Sequence, residues 1–320
     1  MTDLPSGSTP GPVATSDPAL DPGPAPAAPS MGTARMADGT HLRTLRWDAP
    51  GDPWATALIV HGLGEHAGRY GNVAAALTAA GIEVHAYDHR GFGGSAGRRA
   101  FVDRWEQLHD DLEERLVALR ALGNGRPLVL YGHSMGGLVA TGYVLADAPR
   151  PLPDLLVLSS PGFDSTIAPW KRTLAATLNG IVPRMRISNG PVRDGLSHDP
   201  SVRDAYARDP LCQPSSTVRF GHEGFEAQRK VRAAIDAIDA MPVPTYVFHG
   251  SDDPVVPVAA SETIGRKGNV TRHVHDGLRH ETHHELEHEH VMAEVVEWIE
   301  AQRAVLGLPT ASREPVAAAV

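Results

Sequence analysis

From about residue 31 to residue 305, short runs of apolar residues alternate with longer stretches in which apolar positions recur at helical spacing. Residues 57–61 (ALIVH), 83–88 (EVHAYD), 127–131 (PLVLY), 155–158, 245–249 and 270–275 read as strands. Residues 33–36 and 41–47 flank the turn Asp38-Gly39 and read as a hairpin. Helical spacing marks residues 73–80, 102–122, 135–148 and 284–305. In the 102–122 segment, Trp105, Leu108, Leu112, Leu116 and Leu119 form the apolar stripe, and Asp110, Asp111, Glu113, Glu114 and Arg115 are expected on a solvated face. Strand and helix in repeated succession predict a mostly parallel sheet covered by helices on both sides. The rhythm breaks between Phe163 and Met241, where helix-like stretches and loop signals occur without a clear strand, so an insertion is expected after the sixth strand.

Composition narrows the function classes. The 320 residues are 42% hydrophobic, enough for a sizeable core, and carry a formal charge of -9. That balance opposes nucleic-acid binding through bulk charge and favours a small substrate. The lone Cys212 allows no intramolecular disulfide and has no neighbouring cysteine for a zinc or redox motif. Residues 1–30 are dominated by Pro, Ala, Gly, Ser and Thr, contain no Lys or Arg, and lack the basic start and apolar run of a signal peptide. A disordered tail and a cytoplasmic protein are expected, with a peripheral contact at membranes or lipid droplets left open. Residues 307–320 read as a second disordered tail. Residues 127–146 lack Asp, Glu, Lys and Arg over about the length of a membrane span, but their glycines and strand-like first half favour a buried strand running into a buried helix.

Chemistry enters at Gly132-His133-Ser134-Met135-Gly136, a G-x-S-x-G sequence placed between the predicted 127–131 strand and the following helix. A sharp strand-to-helix turn exposes the serine at its apex, forces strained backbone angles on it, and needs glycine on either side. Serine becomes a nucleophile only beside a base, and the base needs an acid to fix its tautomer and stabilise its cation. In this kind of fold the order is Ser, then acid, then His, each in a loop at the carboxyl end of a strand. The loop after residues 245–249 offers Asp252 and Asp253, and the G-x-x-D spacing favours Asp253, with Asp252 as fallback. His280 follows the last strand; of the other histidines nearby, His273 and His275 lie within that strand and His283, His284, His288 and His290 at or in the closing helix. Thr282 and Glu285 are expected to form a capping box starting that helix. The oxyanion hole requires the amide after the nucleophile, Met135, and one from the loop after residues 57–61, for which Leu63 is the choice.

HGLGEHAGRY (61–70), YDHRGFGGS (87–95), GHSMGG (132–137), LSSPG (158–162) and HGSDDPVVP (249–257) together resemble the monoacylglycerol lipase and lysophospholipase-like family of α/β-hydrolases. The similarity runs from Thr33 to about Ala301 and includes LSHDPSVRDAYARDPL (196–211), which resembles that family's cap. It implies an α/β-hydrolase core of residues 31–162 and 241–306 with a helical cap or lid at 163–240. It also implies Ser134 as nucleophile, Asp253 as acid, His280 as base, the Leu63 and Met135 amides as oxyanion donors, and a lipid ester as substrate. Neither cofactor nor metal is implied. The N-terminal tail and the His-rich segment after His280 depart from the family pattern.

Two other motifs name rival chemistries. His284-Glu285-Leu286-Glu287-His288 fits H-E-x-x-H, which on one helix would present two imidazoles to zinc, although no third ligand follows at metzincin spacing. Gly62-Leu63-Gly64-Glu65-His66-Ala67 fits a dinucleotide fingerprint, but a hairpin precedes its strand. A non-catalytic binding protein on the same fold is the third alternative, against which the full set of catalytic residues argues. Within the cap, Ile167, Trp170, Leu174, Leu178 and Ile181 repeat at helical spacing, flanked by Lys171, Arg172 and Arg184. That stripe either packs on the core, or lines an acyl channel or seeks a lipid interface. The resemblance implies cleavage of a monoacylglycerol to fatty acid and glycerol through an acyl-enzyme, with a lysophospholipase or general carboxylesterase on the same triad as the alternative.

Overall fold

The computed structural model describes residues 28–190 and 195–309. Most of the two expected tails, residues 1–27 and 310–320, lies outside the described residues, and Ser30 already belongs to the first strand. Strands β1 (Ser30–Arg35) and β2 (His41–Trp47) form the hairpin, and β2 runs antiparallel to β4 (Ile82–Tyr87). The remaining main-sheet strands are parallel: β3 (Ala55–Val60), β4, β5 (Leu128–His133), β6 (Leu155–Ser159), β9 (Ala240–Gly250) and β10 (Gly268–His275). Their order across the eight-stranded sheet is β1-β2-β4-β3-β5-β6-β9-β10.

Central strands buried on both faces read as unbroken apolar runs, and alternate residues feed opposite layers. Leu58, Val60, Leu128 and Leu130 enter the core under α2 (Glu106–Leu122), α3 (Met135–Val144) and α6 (Val218–Ala237). Ala57, Ile59, Val129 and Tyr131 enter the opposite core, under α1 (Gly71–Ala79) and α8 (His288–Ala301).

Two expectations are corrected. Asp111 does not lie on the solvated face of α2: it is fully buried and takes a two-point contact from Arg90, Nε at 2.6 Å and Nη2 at 2.5 Å. The helix period explains this, since Asp111 lies three residues from Leu108 and shares its inward side. Thr282 and Glu285 form no capping box; residues Thr282–His284 make a single 3-10 turn and α8 begins at His288. The Glu285 carboxylate instead accepts from the backbone N–H groups of His198 and Arg279 and from the Ser197 hydroxyl.

Between β6 and β9 the chain forms α4 (Pro169–Asn179), α5 (Pro200–Arg208) and α6. It also holds two strands absent from the sequence reading, β7 (Arg186–Ser188) and β8 (Ser215–Thr217), paired antiparallel. At three residues each they are too short to show a period of two.

Candidate active site

The turn after β5 is built from steric necessity. Ser134 sits at φ 51°, ψ -117°, a left-handed conformation that a side chain tolerates only when its surroundings enforce it. A Cβ on Gly136 would fall on the Val60 carbonyl, and one on Gly132 would meet the Gly136 carbonyl oxygen at 2.7 Å. The Ser134 amide donates to the Ser159 carbonyl (2.9 Å), and the Gly162 amide donates to the Ser134 carbonyl (2.8 Å), so the β6 loop fixes the apex.

At the carboxyl end of β9, Asp253 is buried, and its Oδ1 accepts the amides of Val255 and Val256 at 2.8 and 2.9 Å. Its Oδ2 lies 2.7 Å from His280 Nδ1, and His280 Nε2 lies 2.9 Å from Ser134 Oγ. The three expected side chains therefore meet in one hydrogen-bonded line. Asp252 borders the cleft, and its carboxylate accepts from the Ser251 hydroxyl. Burial disfavours the His280 imidazolium, but the Asp253 carboxylate outweighs it and raises the His280 pKa above the ordinary histidine value. Burial pushes the Asp253 pKa up; His280, with His249, reverses this and leaves the carboxyl well below the usual range.

Leu63 and Met135 both border the cleft beside Ser134. Among the described residues, no side chain or loop carbonyl takes up either amide. A Cβ on Gly62 would come within 3.3 Å of the Ser134 Cβ, which measures how close the Leu63 loop approaches the hydroxyl.

A buried polar brace lies behind this loop. Glu65 Oε1 accepts the Gly62 amide (2.6 Å) and the Tyr70 hydroxyl (2.7 Å). Arg69 bridges Glu65 (2.5 Å) to Glu281 (2.6 and 2.7 Å), the residue that follows His280. One guanidinium thus ties the Leu63 loop to the His280 loop. The sequence reading missed this brace and also His249, whose Nε2 lies 3.0 Å from Asp253 Oδ2. The available signal was the Glu65/Arg69 spacing of four on a short helical turn and a histidine four residues before the acid.

Ser134 and His280 open into a mostly apolar cleft of about 950 Å³ under the cap, bordered by Met135, Leu138, Ile167, Phe220, Phe225 and Leu196. Of the five cap positions singled out from sequence, only Ile167 borders the cleft. Trp170, Leu174 and Ile181 point outward with 63%, 45% and 72% of their surface exposed, and Leu178 is half-buried. The inward side of α4 is instead small, at Ala175, so beyond Ile167 and the half-buried Leu178 the stripe faces outward.

The rival motifs do not assemble. His284 spends Nδ1 on Glu281 and Nε2 on the Arg69 carbonyl, and a break in the helix separates it from His288. The Gly62–Ala67 segment leads into a single 3-10 turn, with its first amide held by Glu65 rather than free for a phosphate.

Residues 51–287 match the family described as Hydrolase_4, serine aminopeptidase S33. A monoacylglycerol lipase from Mycolicibacterium smegmatis is 33% identical over 266 residues, covering 79% of this chain and 90% of the relative. The monoglyceride lipase of Homo sapiens is 30% identical over 285 residues, covering 85% of this chain and 90% of the human protein. Among solved structures, the monoacylglycerol lipase of Paleococcus ferrophilus superposes with a TM-score of 0.71 at 26% identity, covering 81% of this chain and 98% of that one.

Proposed function

The chain belongs to the Hydrolase_4, serine aminopeptidase S33, family, and on that footing we propose that it cleaves monoacylglycerols to a fatty acid and glycerol by way of an acyl-serine. It is a carboxylic ester hydrolase of the α/β-hydrolase fold. The observation that carries the reading is the Ser134–His280–Asp253 line, 2.9 and 2.7 Å between partners, opening into an apolar cleft that suits an acyl chain. Relatives named as monoacylglycerol lipases support glycerol as the alcohol.

In this mechanism Ser134 Oγ attacks the ester carbonyl carbon as His280 Nε2 takes its proton, and Asp253 stabilises the imidazolium. The carbonyl electron pair moves onto oxygen, where the Leu63 and Met135 amides receive it and the α3 N-terminus adds a favourable field. When the tetrahedral centre collapses, the C–O bond to glycerol breaks and His280 returns its proton to the leaving alkoxide. Water, deprotonated by the same nitrogen, then adds to the acyl-serine carbonyl; the bond to Ser134 Oγ breaks, His280 returns the proton to that oxygen, and the fatty acid leaves. Each step uses protein groups and water alone. The outward stripe of Trp170, Leu174 and Ile181 serves to seat the cap on a lipid surface, where such substrates reside.

The test compares monoacylglycerols, lysophospholipids, short aryl esters and aminoacyl amides with the wild type and Ser134→Ala. Highest kcat/KM on monoacylglycerols, abolished in the variant, is the expected result. Clear preference for aminoacyl amides would replace the lipase reading with a peptidase one, and preference for lysophospholipids would change the alcohol.

A further inference from the structure

A cluster of histidines lies outside the catalytic machinery, where the edge strand β10 faces the closing helix α8. Side chains on one face of a strand recur every two residues, and those on one face of a helix every four. Thr271, His273 and His275 on β10 accordingly face Trp298, Glu294 and His290 on α8. The Trp298 indole donates to the Thr271 hydroxyl at 3.2 Å and fixes the register of the two rows. One step along, Glu294 Oε2 lies 3.1 Å from His273 Nδ1 and 3.9 Å from His275 Nε2, and Glu294 Oε1 lies 3.2 Å from His290 Nε2. The His273 and His275 rings stack with centroids 4.4 Å apart.

Short distances alone do not make a site, but this cluster also has unspent valence. His275 is 7% exposed, and its buried Nε2, aimed at Glu294, has no hydrogen-bond partner among the described residues. Glu294 Oε2, also buried, makes no well-formed hydrogen bond, although His273 Nδ1 lies 3.1 Å away. Leaving buried polar atoms without well-formed bonds is costly, and a single group bonded to both would remove the cost. Ligand atoms around a tetrahedral zinc, bonded at about 2.0–2.1 Å, stand roughly 3.3 Å from one another. The separations from Glu294 Oε2, 3.1 Å to His273 Nδ1 and 3.9 Å to His275 Nε2, bracket that value.

The geometry points to a divalent transition-metal site, of the zinc class, formed by His273, His275 and Glu294, with water completing the coordination. Its role follows from where it sits. The loop carrying His280 leaves the sheet just after His275 and enters α8 at His288, so a metal bridging β10 to α8 pins both ends of that loop. The His275 carbonyl also accepts the Ser251 amide at 2.9 Å, joining the site to the loop that bears Asp253. The function of the metal is structural and does not touch the reacting atoms.

A second grouping, His66, Asp209 and Cys212, has different chemistry. Both His66 nitrogens are already spent, on Asp209 and on the Gly68 amide. It therefore serves as the control.

The test titrates zinc chloride into the metal-stripped full chain, following binding by calorimetry and unfolding by thermal melt. The expected result is about one equivalent bound, with the melting midpoint raised by about 5 °C at a hundredfold excess over Kd. His273→Ala and Glu294→Gln, both checked as folded by circular dichroism, each weaken binding at least tenfold, whereas Cys212→Ser binds as the wild type does. Zinc binding unaltered in the first two variants, or lost with Cys212→Ser, or absent from the wild type at micromolar zinc, would overturn the assignment.

Discussion

At the scale of single residues, the account rests on opposed effects at two buried groups. Burial alone would leave His280 neutral far into the acid range; the Asp253 carboxylate, 2.7 Å away, reverses that and raises its pKa. A base works only when unprotonated, so activity should rise with pH through a titration lying above the ordinary histidine value of about 6.5. Asp253→Asn removes the raising influence and leaves burial, so its acid limb should move to lower pH while kcat falls about ten-thousandfold. A pH profile of kcat/KM on a soluble aryl ester for both proteins checks the pair. An acid limb that stays in place would show that Asp253 does not set the His280 charge. Gly136 supplies a steric counterpart, because a Cβ there would overlap the Val60 carbonyl. Gly136→Ala should therefore cost about 3 kcal/mol or more in denaturant unfolding, since neither the elbow nor β3 has room to shift.

Among elements, the parallel strands and the nucleophile turn were legible because their signals are local: unbroken apolar runs, and glycines flanking a serine. The same rule of local pattern misplaced Asp111, whose burial depends on Arg90, 21 positions away in sequence. It also missed the brace from Glu65 through Arg69 to Glu281, a contact spanning 212 positions. Short β7 and β8 carry no period at all, and the capping box failed because Glu285 found partners in the cap segment instead. The Arg90–Asp111 pair predicts that Arg90→Ala, which strands a buried carboxylate, costs about 3–5 kcal/mol in unfolding free energy. A loss under about 1 kcal/mol, the scale of an exposed pair, would contradict that burial.

For the whole molecule, the cap and the sheet divide the work. The carboxyl ends of β5, β9 and β10 bring Ser134, Asp253 and His280 together, while the segment between β6 and β9 roofs the cleft. Sequence periodicity located the stripe from Ile167 to Ile181 but not its direction, because a helix on a thin cap has two faces and the core lies behind neither with certainty. With the stripe outward, Trp170→Ala and Ile181→Asp should weaken partition to phospholipid vesicles severalfold while leaving turnover of a water-soluble ester unchanged. Equal partition of wild type and variants in a sedimentation assay would remove the interfacial role. Among the described residues no helix is long and apolar enough to cross a membrane, so any lipid contact of these helices is made from the side.

The central claim is that acyl transfer passes through one hydroxyl, and trapping the intermediate tests it most directly. The wild-type protein is mixed with a monoacylglycerol, quenched in acid within the first turnovers, digested, and mapped by mass spectrometry. The account predicts a mass increase equal to the acyl group on the peptide bearing Ser134, and none in Ser134→Ala. An adduct on another residue, or fatty-acid release by Ser134→Ala at near the wild-type rate, would contradict it.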